Sequence, residues 1–450
     1  MIHLNNSLRE IILDLLLRID GDSGFSHLLI DHEIKRNQVT ERDAGLLTEI
    51  VYGTLQRKLT LDYYLKPYIN SDKKMKPWVS MLLRMSVYQM AFLDKVPDHA
   101  IIHEAVEIAK QRGHKGIAAL VNGVLRNIQR NGYPDTSTID RPSTKISIET
   151  SHPEWLVERW IDMYGIDITK QMCEANLERK GTSVRIQPMK ISREEAMRRL
   201  EELNFEVEES MFSSQGIVVN KGNILKTTLF KEGYVTVQDQ SSMLVAEMLD
   251  PKSDMVVLDA CSAPGGKVTH IAEKMNDQGK IHAYDLHAKK ARSINDKAKT
   301  LNLTIIDAKQ ADARKLQDVH KDESFDRILV DAPCSGLGVI RGKPEIKYTK
   351  QESDIDNLAQ IQFDILNEVA PLLKESGYLM YTTCTVDKVE NNQVVNSFLE
   401  SHPEYRIDQT FFDDLPSFLA TGVGISDEGL QLFPHTHHTD GFFLTRFVKK

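Results

Sequence analysis

The 450 residues predict an α/β protein with a helical front and an open, largely parallel sheet at the rear. Three observations carry that reading. Up to about residue 130, apolar residues recur at helical spacing with almost no strand alternation. Beyond about residue 250, short apolar runs read as buried parallel strands. Three of those runs pass directly into loops rich in functional residues: CSAPGGK at 261–267, DAPCSGLG at 331–338 and TTCT at 382–385. In open α/β sheets ligands bind outside the carboxyl ends of the strands, so the three loops are expected to face one crevice.

The front, 1–130, carries helical pairs such as Ile11-Ile12 with Leu15-Leu16, Leu46-Leu47 with Ile50-Val51, and Ile101-Ile102 with Val106. Residues 131–150 are polar, hold two prolines and read as a linker. From 151 to 233 the pattern predicts helices over 153–164 and 168–177, a strand over 182–187 and a helix over 192–203. Short strands near 205–209 and 216–220 follow, making a small α/β module with an antiparallel sheet. From 234 to 450 come a helix over 242–249, with Asp239 or Ser241 as its cap, and strands at 255–260, 280–284, 304–309, 325–330 and 378–381. A last strand ends near Val448.

The residues themselves define much of a site. Cys261, Ser262, Ala263, Pro264, Gly265, Gly266 and Lys267 form a glycine-rich strand-to-helix loop of the kind that holds a nucleotide-bearing cofactor. The helix after it presents free backbone N–H groups, suited to a carboxylate. Asp285 ends the next strand, where a carboxylate can accept from both ribose hydroxyls. Asp312, after the third strand, is placed to meet an adenine amino group; a helix cap is the alternative for both acids. Cys334 and Cys384 each follow a strand, which points to covalent catalysis, and their symmetric positions leave the nucleophile undecided. Asp331, beside Cys334, is placed to hydrogen-bond the amino edge of a base. Cys173, on a helical pattern, reads as structural.

These segments resemble those of the RNA (cytosine-5) methyltransferases, whose pattern is close to C-A-A-P-G-G-K, D-A-P-C-S-G, and T-C-S/T followed by E-N. Here Ser262 replaces an alanine, and Glu390-Asn391 follows Cys384. The resemblance implies a Rossmann-like domain that uses S-adenosylmethionine, with Cys384 as nucleophile and Cys334 assisting product release. In DNA cytosine methyltransferases the thiol of the P-C motif attacks instead, so Cys384 favours RNA. Two thiols suit the chemistry: addition of a thiolate at carbon-6 of cytosine makes carbon-5 able to take a methyl group, and a second ionisable group assists the elimination.

In front, Glu41-Arg42-Asp43-Ala44 through Leu61-Asp62, together with Val121 to Asn127, resembles a NusB-like RNA-binding module. The combination is similar to the bacterial enzymes that methylate 16S ribosomal RNA, and it implies small-subunit ribosomal RNA as partner, met before subunit assembly is complete. It also implies an RNA-recognition-like subdomain for the small module, where Arg185-Ile186-Gln187 stands for the family's R-x-N. Candidate RNA contacts are Arg57, Lys58, Lys73, Lys74, Lys76, Arg126 and Arg130.

Composition narrows the alternatives. No stretch is long and apolar enough to span a bilayer, MIHLNNSLRE lacks signal-peptide features, and 4 cysteines without a framework fit a reducing compartment. A cytoplasmic enzyme is expected, without metal: His435, His437 and His438 have no accompanying cysteine or E-x-x-H spacing. Asp440-Gly441 reads as a hairpin turn. The net charge of −9 confines RNA contact to local basic surfaces. Absence of G-x-G-x-x-G and G-x-x-x-x-G-K-S/T argues against hydride transfer and nucleotide hydrolysis, and absence of C-x-x-C against a thiol redox enzyme. Intact thiols and loop glycines argue against a binding protein that has lost catalysis.

Overall fold

The apolar spacing of the front becomes helices Leu8–Asp22, Ser26–Arg36, Glu41–Gln56, Lys58–Leu65, Pro77–Phe92, Asp98–Arg112 and Lys115–Asn131 in a computed structural model that describes residues 7–22, 26–70, 75–420 and 422–450. Leu16, Leu47, Leu82, Ile102, Val121 and Leu125 meet in one apolar core. Thr40 caps the third helix by accepting from the Asp43 N–H. The chain divides into two compact units, Met1–Glu178 with Ile340–Lys350, and Arg179–Val339 with Gln351–Lys450.

The stretch expected as a linker is folded. Residues Pro142–Thr150 form a helix with Ser143, Ile146, Ser147 and Thr150 buried. Its polar composition hides burial because the polar groups are paired internally: Ser147 Oγ donates to the His152 carbonyl at 2.6 Å, and Thr60 Oγ1 to that of Ile148 at 2.6 Å. Helices Glu154–Tyr164 and Ile166–Ala175, expected in the small module, belong to the front unit, where Leu156, Trp160, Met172 and Cys173 are buried. Burial pushes the Cys173 thiol up to about 12, as suits a packing residue.

In the second unit, β1 (Thr182–Ile186), β2 (Glu206–Glu209), β3 (Gly216–Lys221) and β4 (Val235–Val237) form an antiparallel sheet in the order β2-β3-β1-β4. The strand β4, absent from the sequence reading, extends this sheet past residue 233. Three residues are too few to show alternation.

The larger sheet contains β5 (Val256–Asp259), β6 (Lys280–Asp285), β7 (Ile306–Gln310), β8 (Phe325–Asp331), β9 (Leu373–Thr383), β10 (Tyr405–Ile407), β11 (Ile425–Ser426), β12 (Gly429–Leu432) and β13 (Phe442–Lys449). Its order is β11-β12-β13-β9-β8-β5-β6-β7, with β10 also paired to β13. Strands β5 to β9 run parallel, and β13 runs antiparallel to β9. The order reverses at β5, which lies between β6 and β8, so the ligand crevice of such a sheet falls at the carboxyl ends of β5 and β8. The strand β9 starts earlier than its apolar run because Leu373 pairs with Phe325 across a bulge. No helix among the described residues is long and apolar enough to cross a membrane.

Residues Ile340–Lys350 depart from the sheet after β8 and complete the front unit. Glu345 accepts from Ser26 N and Oγ at 3.2 and 3.0 Å, and Gln56 Nε2 donates to the carbonyls of Ile340 and Arg341 at 3.2 and 3.1 Å. Lys347, only 1 % exposed, donates to the Gln56 carbonyl at 2.7 Å. Burial lowers its pKa to about 7.

A lysine depressed on folding carries no penalty above its unfolded value, and loses stability as pH falls toward the folded one, because the unfolded chain then binds the extra proton. Lys347→Met is therefore expected to melt higher than the unaltered chain at pH 7, with the gap closing by about pH 10. Calorimetric melts across that range check it; a variant that melts lower at pH 7 would mean that the bond to Gln56 outweighs burial.

Candidate functional site

The first loop is built by the end of β5. The Ser262 N–H donates to the Tyr284 carbonyl and the Gly265 N–H to that of Ser262, both at 2.8 Å, while Ser262 Oγ donates to the Asp259 carbonyl at 2.9 Å. Gly265 has φ +91°, the left-handed region that favours glycine. Gly266 then opens the helix Gly266–Lys274, and a Cβ built on it would meet no atom closer than 3.9 Å. This face of the loop is uncrowded.

Four carboxylates converge on the loop. Burial, then the charges of Asp259, Asp331, Asp285 and Asp312, push the Cys261 thiol well above its ordinary value, so this cysteine stays protonated. Asp285 lies at the end of β6, where its Oδ1 accepts from the His287 N–H at 2.8 Å and Lys290 stands 3.9 Å from Oδ2. Asp312 caps the short helix Ala313–Asp318 and pairs with Arg314 at 2.7 Å, a bond that lowers its pKa. The capping alternative is thus realised at Asp312. Asp259, which the sequence reading passed over, is fully buried beside the Ser262 hydroxyl and the Cys261 N–H. Burial and the neighbouring Asp331 raise it to about 7. An aspartate inside the apolar run Val256-Val257-Leu258-Asp259-Ala260 was the available signal.

The two later loops bring their thiols together. Cys334 Sγ and Cys384 Sγ are 3.3 Å apart, beyond the roughly 2.05 Å of a disulfide, and both residues are partly exposed. Hydrogen bonding to Cys384, then burial, then the charges of Cys384 and Glu390 push the Cys334 thiol well above its ordinary value. Lys267 Nζ donates to Asp331 Oδ2 at 2.7 Å, and Thr382 Oγ1 to Asp331 Oδ1 at 2.9 Å. Burial opposes the Lys267 charge, but Asp331, Cys384 and Asp259 outweigh it and raise its pKa. A secure ammonium therefore stands near Cys384.

Residues following each cysteine lock the loops to one another. Ser335 Oγ and Thr385 Oγ1 are 2.9 Å apart, and the buried Glu390 accepts from the Ser335 N–H at 2.7 Å and from Gln362 Nε2 at 3.0 Å. Burial raises the pKa of Glu390. Asn391 accepts from Thr383 Oγ1 at 2.6 Å and donates to the Thr385 carbonyl at 3.2 Å. The Glu390-Asn391 pair is thus a staple between strand ends. The Gly338 N–H donates to the Cys384 carbonyl at 3.0 Å, and the Gly441 N–H to that of Gly338 at 2.8 Å.

Asp440-Gly441 is not a hairpin turn. The antiparallel strands β12 and β13 are joined through a short helix, Pro434–His437, and Gly441 instead packs against Gly338. Asp440 and Asp239 both bind Lys180, at 2.6 and 2.8 Å, and Asp239 also caps the helix Gln240–Leu249. His437 Nδ1 accepts from the Phe433 N–H at 2.9 Å, and among the described residues no group of His, Cys, Asp and Glu is arranged to hold a metal ion.

In the front unit, Arg57 lies 4.2 Å over the Phe92 ring and Lys58 pairs with Asp20. Both cations thus have partners within the chain. Lys76 and Arg130 are exposed, and Arg126 is half-buried beside Gln129. Lys73 and Lys74 lie outside the described residues.

Comparison with known proteins gives matches along nearly the whole chain. Residues 246–448 match the family described as 16S rRNA methyltransferase RsmB/F, residues 6–130 the NusB family, and residues 152–225 the RsmF/B-like ferredoxin-like domain. A probable ribosomal RNA small subunit methyltransferase B of Bacillus subtilis (strain 168) is 49% identical over 444 residues, 99% of each chain. Its namesake in Synechocystis is 32% identical over 98% of this chain and 99% of its own. Among solved structures, that of PH0851 has a TM-score of 0.83 at 28% identity, covering 100% of both chains. That of NSun6 from Pyrococcus horikoshii with SFG has a TM-score of 0.59 at 22% identity, over 66% of this chain and 98% of that one, and shares the fold.

The stitch at Gly338 has a direct test. An added Cβ would sit 1.8 Å from the Gly441 carbonyl oxygen and 2.9 Å from that of Cys384. Gly338→Ala is expected to destabilise the unit by about 1–3 kcal/mol, the usual scale of overpacking, and to lower the melting temperature. An unchanged melt would show that the Cys384 and Gly441 backbones yield freely.

Proposed function

The chain belongs to the 16S rRNA methyltransferase RsmB/F family, and on that premise we propose that it transfers a methyl group from S-adenosylmethionine to carbon-5 of a cytosine in small-subunit ribosomal RNA, through a covalent cysteine adduct. The observation that carries this reading is the pair of thiols 3.3 Å apart, not joined as a disulfide, beside the Lys267–Asp331 pair at the sheet's switch point.

The donor fits the residues present. It brings a sulfonium methyl group, and its two positive charges suit a loop ringed by Asp259, Asp285, Asp312 and Asp331. The N–H groups opening the helix Gly266–Lys274 suit its carboxylate. Asp285 is the ribose ligand and Asp312 the adenine ligand, the latter through Oδ2, which exchanges the Arg314 guanidinium for the adenine amino group while Oδ1 keeps the cap on the Arg314 N–H. Cys261 to Lys267 form the cradle.

Cys384 is the nucleophile. Its thiolate, favoured by the nearby Lys267 ammonium, forms a bond to carbon-6 of the cytosine, and the displaced ring electrons make carbon-5 the methyl acceptor. Asp331, held by Lys267 and Thr382, orients the base through its amino edge. After transfer, the carbon-6–sulfur bond breaks and its electron pair returns to Cys384, while the carbon-5–hydrogen pair restores the ring's double bond. Cys334, the protonated member of the pair, gives its proton to the departing Cys384 sulfur and takes the carbon-5 proton in its place. The NusB-like front supplies contacts to RNA, and the setting is the cytoplasm, whose reducing conditions keep both thiols free.

Bisulfite sequencing of ribosomal RNA from cells with and without the protein is expected to show one or more small-subunit cytosines losing protection; no change would sink the substrate assignment. Cys334→Ala is expected to accumulate a protein–RNA adduct that survives denaturation, and Cys384→Ala to form none. An adduct from the Cys384 variant instead would exchange the two roles. Asp285→Ala is expected to weaken S-adenosylmethionine binding by about 1–3 kcal/mol, the scale of a charge-assisted hydrogen bond, with the fold retained. Calorimetry giving unaltered affinity would refute the ribose contact.

A further inference from the structure

The small sheet sends one charged side chain into the helix that opens at the cofactor loop. Arg185, on β1, is 0% exposed, and all five of its N–H donors are used. Nε and Nη2 donate to the two carboxylate oxygens of Glu273 at 2.6 and 2.8 Å, and Nη2 also to Thr269 Oγ1 at 3.1 Å. Nη1 donates to the Gly266 carbonyl at 2.9 Å and to Gln238 Oε1. Gly266, Thr269 and Glu273 stand at i, i+3 and i+7, on one face of the helix.

We infer that Arg185 is a positioning residue for methyl-donor binding, clamping the first two turns of the helix Gly266–Lys274 so that the small sheet sets the aim of the cofactor loop. The inference rests on the reading that this loop binds S-adenosylmethionine. Its physical basis is the planarity of the peptide group: fixing a carbonyl fixes the opposed N–H of the same peptide. Arg185 holds the Gly266 carbonyl and thereby the Lys267 N–H. Thr269 Oγ1 donates to the Gly265 carbonyl at 2.7 Å and thereby fixes the Gly266 N–H. These are N–H groups at the helix start, the ones a carboxylate would use.

Stability alone gives little reason for such a group. A buried ion pair replaced by well-packed apolar side chains is often neutral or stabilising. Nor does pairing with Glu273 require a bond to Gly266, seven residues earlier. Arginine is the one side chain whose planar fork reaches the acid and the carbonyl together. Gln215 Nε2, donating to Glu273 Oε2 and to the Ile186 carbonyl at 3.2 Å each, ties the same acid back to the small sheet.

The test uses the full chain. The double variant Arg185→Met with Glu273→Met removes both charges together and keeps apolar volume, and Arg185→Lys keeps the charge without the fork. Titration with S-adenosylmethionine is expected to give a Kd raised tenfold or more in the double variant and several-fold in Arg185→Lys. Steady-state kinetics are expected to show the KM for the donor rising while the KM for RNA stays within twofold. Either variant, folded by its melt and binding the donor within twofold of the unaltered chain, overturns the inference. So does a rise confined to the KM for RNA, which would make Arg185 a support for RNA alone. If the unaltered chain itself fails to bind the donor, the functional reading falls and this inference with it; binding that the variants leave untouched removes only this inference.

Discussion

The register between β8 and β9 is the constraint on which the site depends. Asp331 stands opposite Thr382, and the side chains of these partners bond at 2.9 Å. Because side chains alternate faces along a strand, a one-residue slip would turn Thr382 away from Asp331. It would also shift Cys384 relative to Cys334 by about 3.3 Å, the rise of one strand residue, which is as large as the separation between the two sulfurs. Thiol proximity is therefore a consequence of strand pairing, reinforced by the Ser335–Thr385 contact and the Glu390-Asn391 staple. That explains why so many polar groups are buried just past these strand ends: each removes one way in which the loops could drift.

Charge is handled differently in different parts of the molecule. Arg185 and Glu273 are almost fully buried but mutually satisfied, as are Arg446 and Asp408, which bond at 2.7 Å. Such pairs specify geometry at a desolvation cost. The loop beside the thiols keeps a surplus of carboxylates, with Asp259 fully buried and Cys261 held protonated by burial and by its acidic neighbours. Four aspartates gathered at one loop mean that the overall charge of −9 is not spread evenly over the chain.

Much of this was legible in the sequence because motifs and strand ends coincide. The strands at β5, β6, β7 and β8, the glycine loop and both thiols follow from apolar runs ending in polar, glycine-rich segments. What composition concealed was folded polar structure. The helix Pro142–Thr150 looks like a linker because its serines and threonines bond within the fold, Ser147 and Thr150 to carbonyls, and Ser143 and Thr144 to the carboxylates of Glu158 and Glu154. The strand β4 is too short to alternate. Asp440-Gly441 resembles turn chemistry, yet Gly441 is required for a close backbone approach to Gly338. Arg185 was noticed only as the first letter of a motif whose third position had changed to Gln187. Its four partner residues lie 53 to 88 positions away in sequence, so no local pattern announces them.

The chain path after Cys334 links these themes. Past Val339 it leaves the large sheet's unit, contributes Ile340–Lys350 to the helical one, and returns at Gln351. Backbone bonds pin Gly338 to Cys384 on one side and to Gly441 on the other immediately before that departure. Any pull on the departing segment therefore meets two backbone hydrogen bonds and a glycine contact before it reaches Cys334. Between that stitch and the thiol, Ser335 is held by Glu390. The Pro-Cys loop is thus fixed by its own unit, and the excursion can bury Lys347 and Glu345 among helices without setting the distance between the sulfurs. The order of contacts along the chain separates the part of this loop that carries the thiol from the part that completes a fold.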